Sequence, residues 1–134
     1  MIGKLNHVAI VVSDLKKSIN KYKNVLGADT SNPIELPDHG VVVSFVNVRN
    51  TKIELLHPLD KSSPINKFLG KNPNGSMHHV CYEVNDIIKS KNILLDSGMK
   101  ILGSGEPTIG AHGKPVIFLD PKDFDGTLIE LEEI

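Results

Sequence analysis

The sequence predicts an α+β fold in which two tandem βαβββ modules form one curved, mostly antiparallel half-barrel sheet with the helices outside. Three observations predict it: a segment written twice, an aspartate and a glycine bracketing a helical stretch in each copy, and short β-branched runs separated by turn residues after each helix. His7-Val8-Ala9-Ile10-Val11-Val12-Ser13-Asp14-Leu15 lies over His79-Val80-Cys81-Tyr82-Glu83-Val84-Asn85-Asp86-Ile87 without a gap, at an offset of 72 residues. Lys52-Ile53-Glu54-Leu55-Leu56 answers Leu128-Ile129-Glu130-Leu131-Glu132 at an offset of 76. Each half therefore runs from a histidine to a glutamate.

The elements follow in order. Leu5 to Val12 is rich in β-branched residues and reads as a strand, with Leu5, His7, Ala9 and Val11 on one face and Asn6, Val8, Ile10 and Val12 on the other. Asp14 caps a helix in which Leu15, Ile19, Tyr22 and Leu26 share a face, and Gly27 stops it. Gly40–Val48 and Thr51–Leu56 are the next strands. Ser63-Pro64 through Gly70 reads as a short helix with Ser63 as its cap, and residues 71–76 as a linker. The second copy repeats the plan: Asp86 as cap, Ile87/Leu94 and Ile88/Leu95 each one heptad apart, Gly98 as stop, then strands at Pro115–Leu119 and Thr127–Glu132. The expected boundaries are residues 1–60 for module 1, 61–76 for the connecting helix and linker, and 77–134 for module 2, all in one domain. A module of about 65 residues alone would have a marginal core, so the halves are expected to share a sheet.

Composition narrows the function classes. The chain has 134 residues, 40% hydrophobic and 23% charged, the size of one ordinary domain. Fifteen basic against sixteen acidic side chains leave a net charge of -1, too weak a field to draw a nucleic-acid backbone or an anionic membrane surface. The single cysteine, Cys81, can form no internal disulfide, and the longest apolar run, Val8–Val12, is far below the roughly 20 residues of a membrane span. A cytoplasmic location is expected, although a matrix protein after leader removal would read the same.

Pseudo-two-fold symmetry would set His7 against His79 and Glu54 against Glu130. Two imidazoles and two carboxylates suit one divalent transition ion per chain, with water or substrate completing the shell. Taken singly, each residue has a bland reading: a histidine at a strand start is usually structural, and a glutamate in an antiparallel strand usually faces solvent. Two surface accidents have no reason to recur in one register, and that recurrence favours the site. His78 points away from His79 and is not assigned. His39 and His112 read as solvent-exposed turn residues, His57 as a pocket candidate, and Cys81 as small buried packing.

Leu5-Asn6-His7-Val8-Ala9-Ile10, Glu54-Leu55-Leu56-His57-Pro58-Leu59, Met77-His78-His79-Val80, Gly110-Ala111-His112-Gly113-Lys114-Pro115-Val116-Ile117-Phe118-Leu119 and Leu128-Ile129-Glu130-Leu131 also carry a resemblance spanning essentially the whole chain. The sequence resembles the vicinal-oxygen-chelate superfamily, the glyoxalase I-like proteins, and within it the methylmalonyl-CoA epimerase family. The resemblance implies metal-dependent interconversion of (R)- and (S)-methylmalonyl-CoA by 1,1-proton transfer through a stabilised enolate. It implies metal held by His7, Glu54, His79 and Glu130, with Glu130 as one acid/base; the other is left to Glu54, a bound water or an unidentified group, and Glu54 is taken for that role. It further implies cobalt as first choice of ion (manganese, nickel, zinc or magnesium as alternatives), an acyl-CoA substrate and a homodimer. His57, His112 and Lys114 are candidate substrate contacts. One departure stands out: members with glutamine at the Glu54 position carry a basic glutamate where this chain has Val43. The competing readings are a glyoxalase I-like lyase acting on a glutathione hemithioacetal and a non-catalytic small-molecule-binding protein of the same fold.

Overall fold

The computed structural model describes residues 1–134. Strand β1 (Leu5–Val11) leads into α1 (Leu15–Asn20), β2 (Asp29–Thr30), β3 (Ile34–Leu36), β4 (Val41–Asn47), β5 (Lys52–Pro58) and α2 (Asn66–Lys71). Then come β6 (Ser76–Val84), α3 (Ile87–Asp96), β7 (Thr108–Ile109), β8 (Pro115–Leu119) and β9 (Ile129–Glu133). The class is α+β, as the duplicated pattern predicts. By contact the chain forms two compact units, Val8–His78 and Met1–His7 with His79–Ile134. No helix is long and apolar enough to cross a membrane.

In the Val8–His78 unit the strand order is β2-β4-β5-β1, with β3 beside β4. The antiparallel β4·β5 pair places Glu54 opposite Phe45 and Val43 opposite Leu56. The Asp14 carboxylate accepts the Lys17 N–H at 3.0 Å and starts α1, as expected of a cap. Leu15, Ile19 and Tyr22 pack on the cluster of Val12, Val46 and Leu55. The fourth residue of that predicted face does not: Leu26 is 69% exposed. The helix widens into a π turn over Lys21–Val25, and the extra residue per turn rotates Leu26 off the packed face.

Helix α2 also begins later than the sequence suggests. The Ser63 carbonyl accepts the Asn66 N–H, closing a turn before the helix, so Ile65 rather than Ser63 occupies the cap position and offers no side-chain bond. The linker is shorter than expected, because β6 starts at Ser76. Just before it, Gly75 adopts φ 86°, and a Cβ there would sit 2.6 Å from the Val11 carbonyl oxygen, so only glycine fits.

In the other unit the order is β6-β9-β8-β7, and the chain start runs beside β6 through Gly3 N–H to the Glu83 carbonyl at 2.7 Å. β6 and β9 are parallel, with Cys81 beside Glu130, while β8 and β9 are antiparallel, with Phe118 beside Glu130. Alternation then sorts the side chains. Tyr82 and Val84, Ile129 and Leu131, and Ile117 and Leu119 fall on one face, where they pack with Ile87, Leu94 and Ile101. His79, Cys81 and Glu83, Glu130 and Glu132, and Val116 and Phe118 fall on the opposite face. Asp86 caps α3 by accepting the Lys89 N–H at 2.8 Å. Of the two heptad pairs, Ile87/Leu94 is buried whereas Ile88 and Leu95 are 50% and 49% exposed, so only the first faces the sheet.

Leu131 is 1% exposed at the centre of this cluster. Leu131→Ala is expected to lower stability by about 2–5 kcal/mol, and Leu95→Ala by less than about 1 kcal/mol, both measured by urea unfolding.

Candidate metal centre

Within the unit of Met1–His7 and His79–Ile134, three of the four predicted ligands meet in one place. His7 Nε2 lies 3.2 Å from His79 Nε2. Glu130 Oε2 lies 3.0 Å from His79 Nε2 and 3.2 Å from His7 Nε2. All three side chains are buried, His7 at 1% and His79 and Glu130 at 5% exposure. Strand register causes the meeting. His79 is two residues before Cys81 on the same face of β6, and Cys81 is the register partner of Glu130. The Phe118 ring, beside Glu130 on β8, stands edge-on to the His79 ring at 5.5 Å and keeps that imidazole from swinging away.

Burial pushes the Glu130 carboxyl up, but its contacts with the His7 and His79 imidazoles outweigh that and bring its pKa down to about 2. Glu130 is therefore ionised at neutral pH. Two ring nitrogens and a carboxylate oxygen aimed at one another must share a proton or a cation, since lone pairs alone would repel. Nitrogen and oxygen donors in this ratio fit a divalent ion such as those of the first transition row. Cys81 Sγ joins His7 and Glu130 in a second grouping, with ligand atoms within 4.8 Å of one another.

Glu54 belongs to the Val8–His78 unit, where it is buried on β5 at 4% exposure. Val43, at the position of the alternative base, is wholly buried beside Leu56 and can carry no proton. His57 Nδ1 donates to the Val12 carbonyl at 2.9 Å and so ties down the end of β1. His78 faces the Phe68 ring, away from His79, as alternation requires. His39 lies in a 3-10 turn.

Four further polar residues surround the trio. Asn6 Oδ1 is 2.8 Å from His7 Nδ1, and Asn6 Nδ2 donates to Glu83 Oε1 at 3.2 Å and Glu132 Oε1 at 3.3 Å. His112, expected as a loop residue with a substrate role, has Nδ1 2.9 Å from Glu132 Oε2, and its ring is 5.9 Å from that of His7. The loop carrying it runs close over the site: a Cβ on Gly110 would come within 2.8 Å of Val116 and 3.6 Å of Glu130 Oε1. Lys114 in the same loop is exposed. The sequence did hold a signal for Glu132, which alternation places on the face of Glu130. It held none for Asn6, which alternation places opposite His7.

Residues 6–118 match the Glyoxalase/Bleomycin resistance protein/Dioxygenase superfamily. The chain is 59% identical over its full 134 residues to the ethylmalonyl-CoA/methylmalonyl-CoA epimerase of Cereibacter sphaeroides, covering 100% of both. It is 56% identical to the mitochondrial methylmalonyl-CoA epimerase of Homo sapiens over 98% of this chain and 74% of that protein. A solved structure of methylmalonyl-CoA epimerase in complex with methylmalonyl-CoA and NH4+ superposes with a TM-score of 0.90 at 26% identity, over 99% of this chain and 95% of that one.

His79→Ala and Glu130→Ala are each expected to weaken divalent-ion binding by more than about 100-fold, beyond the effect of losing an outer-shell partner, while Cys81→Ser stays within about threefold. Titration calorimetry with cobalt and zinc measures all three.

Proposed function

The chain belongs to the Glyoxalase/Bleomycin resistance protein/Dioxygenase superfamily, and we propose that within it the protein is a methylmalonyl-CoA epimerase, a metal-dependent isomerase of an acyl-CoA substrate. The observation that carries this reading is the buried convergence of His7, His79 and Glu130 in a chain 59% identical to such an epimerase from end to end. The identity from end to end favours it over the glyoxalase I-like and the non-catalytic alternatives.

The substrate's α-carbon lies between a thioester and a carboxylate, and removing its proton moves negative charge onto the thioester oxygen. A bound divalent ion supplies Lewis-acid stabilisation of that charge. His7, His79 and Glu130 would hold the ion, and Glu54, the internal-repeat counterpart of Glu130, is assigned as the fourth ligand. Inversion requires a proton to leave one face of a planar intermediate and return to the other, so two proton carriers are needed. Glu54 and Glu130 are assigned as that pair; their support is the repeat and the burial of both carboxyls. Glu130, held ionised by two imidazoles, suits the ligand role first. With Val43 unable to take a proton, Glu54 is the principal base.

His112 and Lys114, on the loop that passes over Glu130, are assigned to the acyl-CoA; His57 keeps one ring nitrogen for a similar contact. Cobalt as the resident ion, a homodimer and a cytoplasmic setting extend the same reading. The first rests on the N/O donor chemistry, the other two on the family resemblance.

In heavy water the protein is expected to place deuterium at the α-carbon of methylmalonyl-CoA, and a chelator to abolish it. Glu54→Gln is expected to slow that exchange by about 100-fold or more while substrate binding persists. Full exchange and turnover in the variant would overturn the assignment of Glu54.

A further inference from the structure

Asn6 has no part in the chemistry above, yet it is buried at 9% exposure and its side-chain amide is engaged on both sides. Its Nδ2 faces two carboxylates, Glu83 Oε1 at 3.2 Å and Glu132 Oε1 at 3.3 Å. Ionised carboxylates only accept hydrogen bonds, so the amide cannot turn over without setting its own carbonyl oxygen against two negative groups. Glu132 is itself fixed from its far side by His112 Nδ1 at 2.9 and 3.1 Å. Asn6 Oδ1 is thereby pointed at His7 Nδ1, 2.8 Å away, and as a carbonyl oxygen it too can only accept.

From this geometry we infer that Asn6 is a positioning residue that sets the tautomer of His7. The bond to Oδ1 requires the imidazole proton on Nδ1, which leaves the Nε2 lone pair directed at His79 and Glu130, where a divalent ion would take it. Without Asn6, a neutral His7 would do better with its proton on Nε2, donating to the Glu130 carboxylate 3.2 Å away. That arrangement closes the site with a proton in place of the ion. Asn6, Glu83 and Glu132 thus bias the empty site toward its metal-accepting form.

The inference rests on the metal reading proposed above, and two measurements separate them. In the metal-free protein, nitrogen-15 shifts of the His7 ring are expected to show Nδ1 protonated and Nε2 unprotonated. In competition with a chelator, Asn6→Leu is expected to bind zinc roughly 10–100-fold more weakly than the unaltered protein, at an unchanged far-ultraviolet circular dichroism spectrum. The double variant Asn6→Asp/Glu83→Gln, which keeps an acceptor toward His7 and supplies an amide donor behind it, is expected to recover most of that loss. An unprotonated Nδ1 or a protonated Nε2 in the unaltered protein, or a folded Asn6→Leu variant with full zinc affinity, would overturn the role of Asn6. If Asn6→Leu does not fold, the nitrogen-15 measurement decides alone. Failure of the unaltered protein to bind zinc, cobalt or manganese would instead overturn the metal reading itself.

Discussion

Two imidazoles and a carboxylate pressed together out of water are an expensive arrangement, tolerated only when a shared proton or cation satisfies their lone pairs. Much else in the Met1–His7 and His79–Ile134 unit can be understood as the means of holding that arrangement. The parallel register of β6 and β9 sets Glu130 beside Cys81 and so within reach of His79. The reverse face of the same strands is apolar and sealed by α3, which anchors the backbone from which the polar groups project. The donors are therefore placed by regular strands and not by loops, and strand geometry leaves them little freedom to drift apart.

The same constraint explains why much of the site was legible in the sequence. A histidine and a glutamate that recur in both halves leave a repeat, and its intervals marked His7, Glu54, His79 and Glu130 together with their strands; all four are buried. The aspartate caps of α1 and α3 were legible because a capping bond needs only a local sequence. What escaped depends on partners remote in the chain. Asn6 owes its place to Glu83 and Glu132, 77 and 126 residues away, and no local pattern marks it. The π turn that turns Leu26 outward, and the Ser63 turn that delays α2, are settled by small differences in backbone bonding that a periodicity cannot resolve. The short strands β2, β3 and β7 are too brief to show alternation at all.

The departure at Val43 acquires a physical meaning from its surroundings. It sits on β4 opposite Leu56 and is wholly buried, so this chain has an aliphatic group and no proton carrier at that position. A chain with an apolar residue there must find its second proton carrier elsewhere, and the buried glutamate on β5 is the candidate that the internal repeat supplies.

The central claim is that the convergent trio is a metal centre, and an anomalous diffraction map of cobalt-loaded crystals tests it most directly. The account predicts one dominant peak per chain, at about 2.0–2.2 Å from His7 Nε2, His79 Nε2 and a Glu130 carboxylate oxygen. A peak only at surface residues, with the three side chains still bonded to one another, would contradict it.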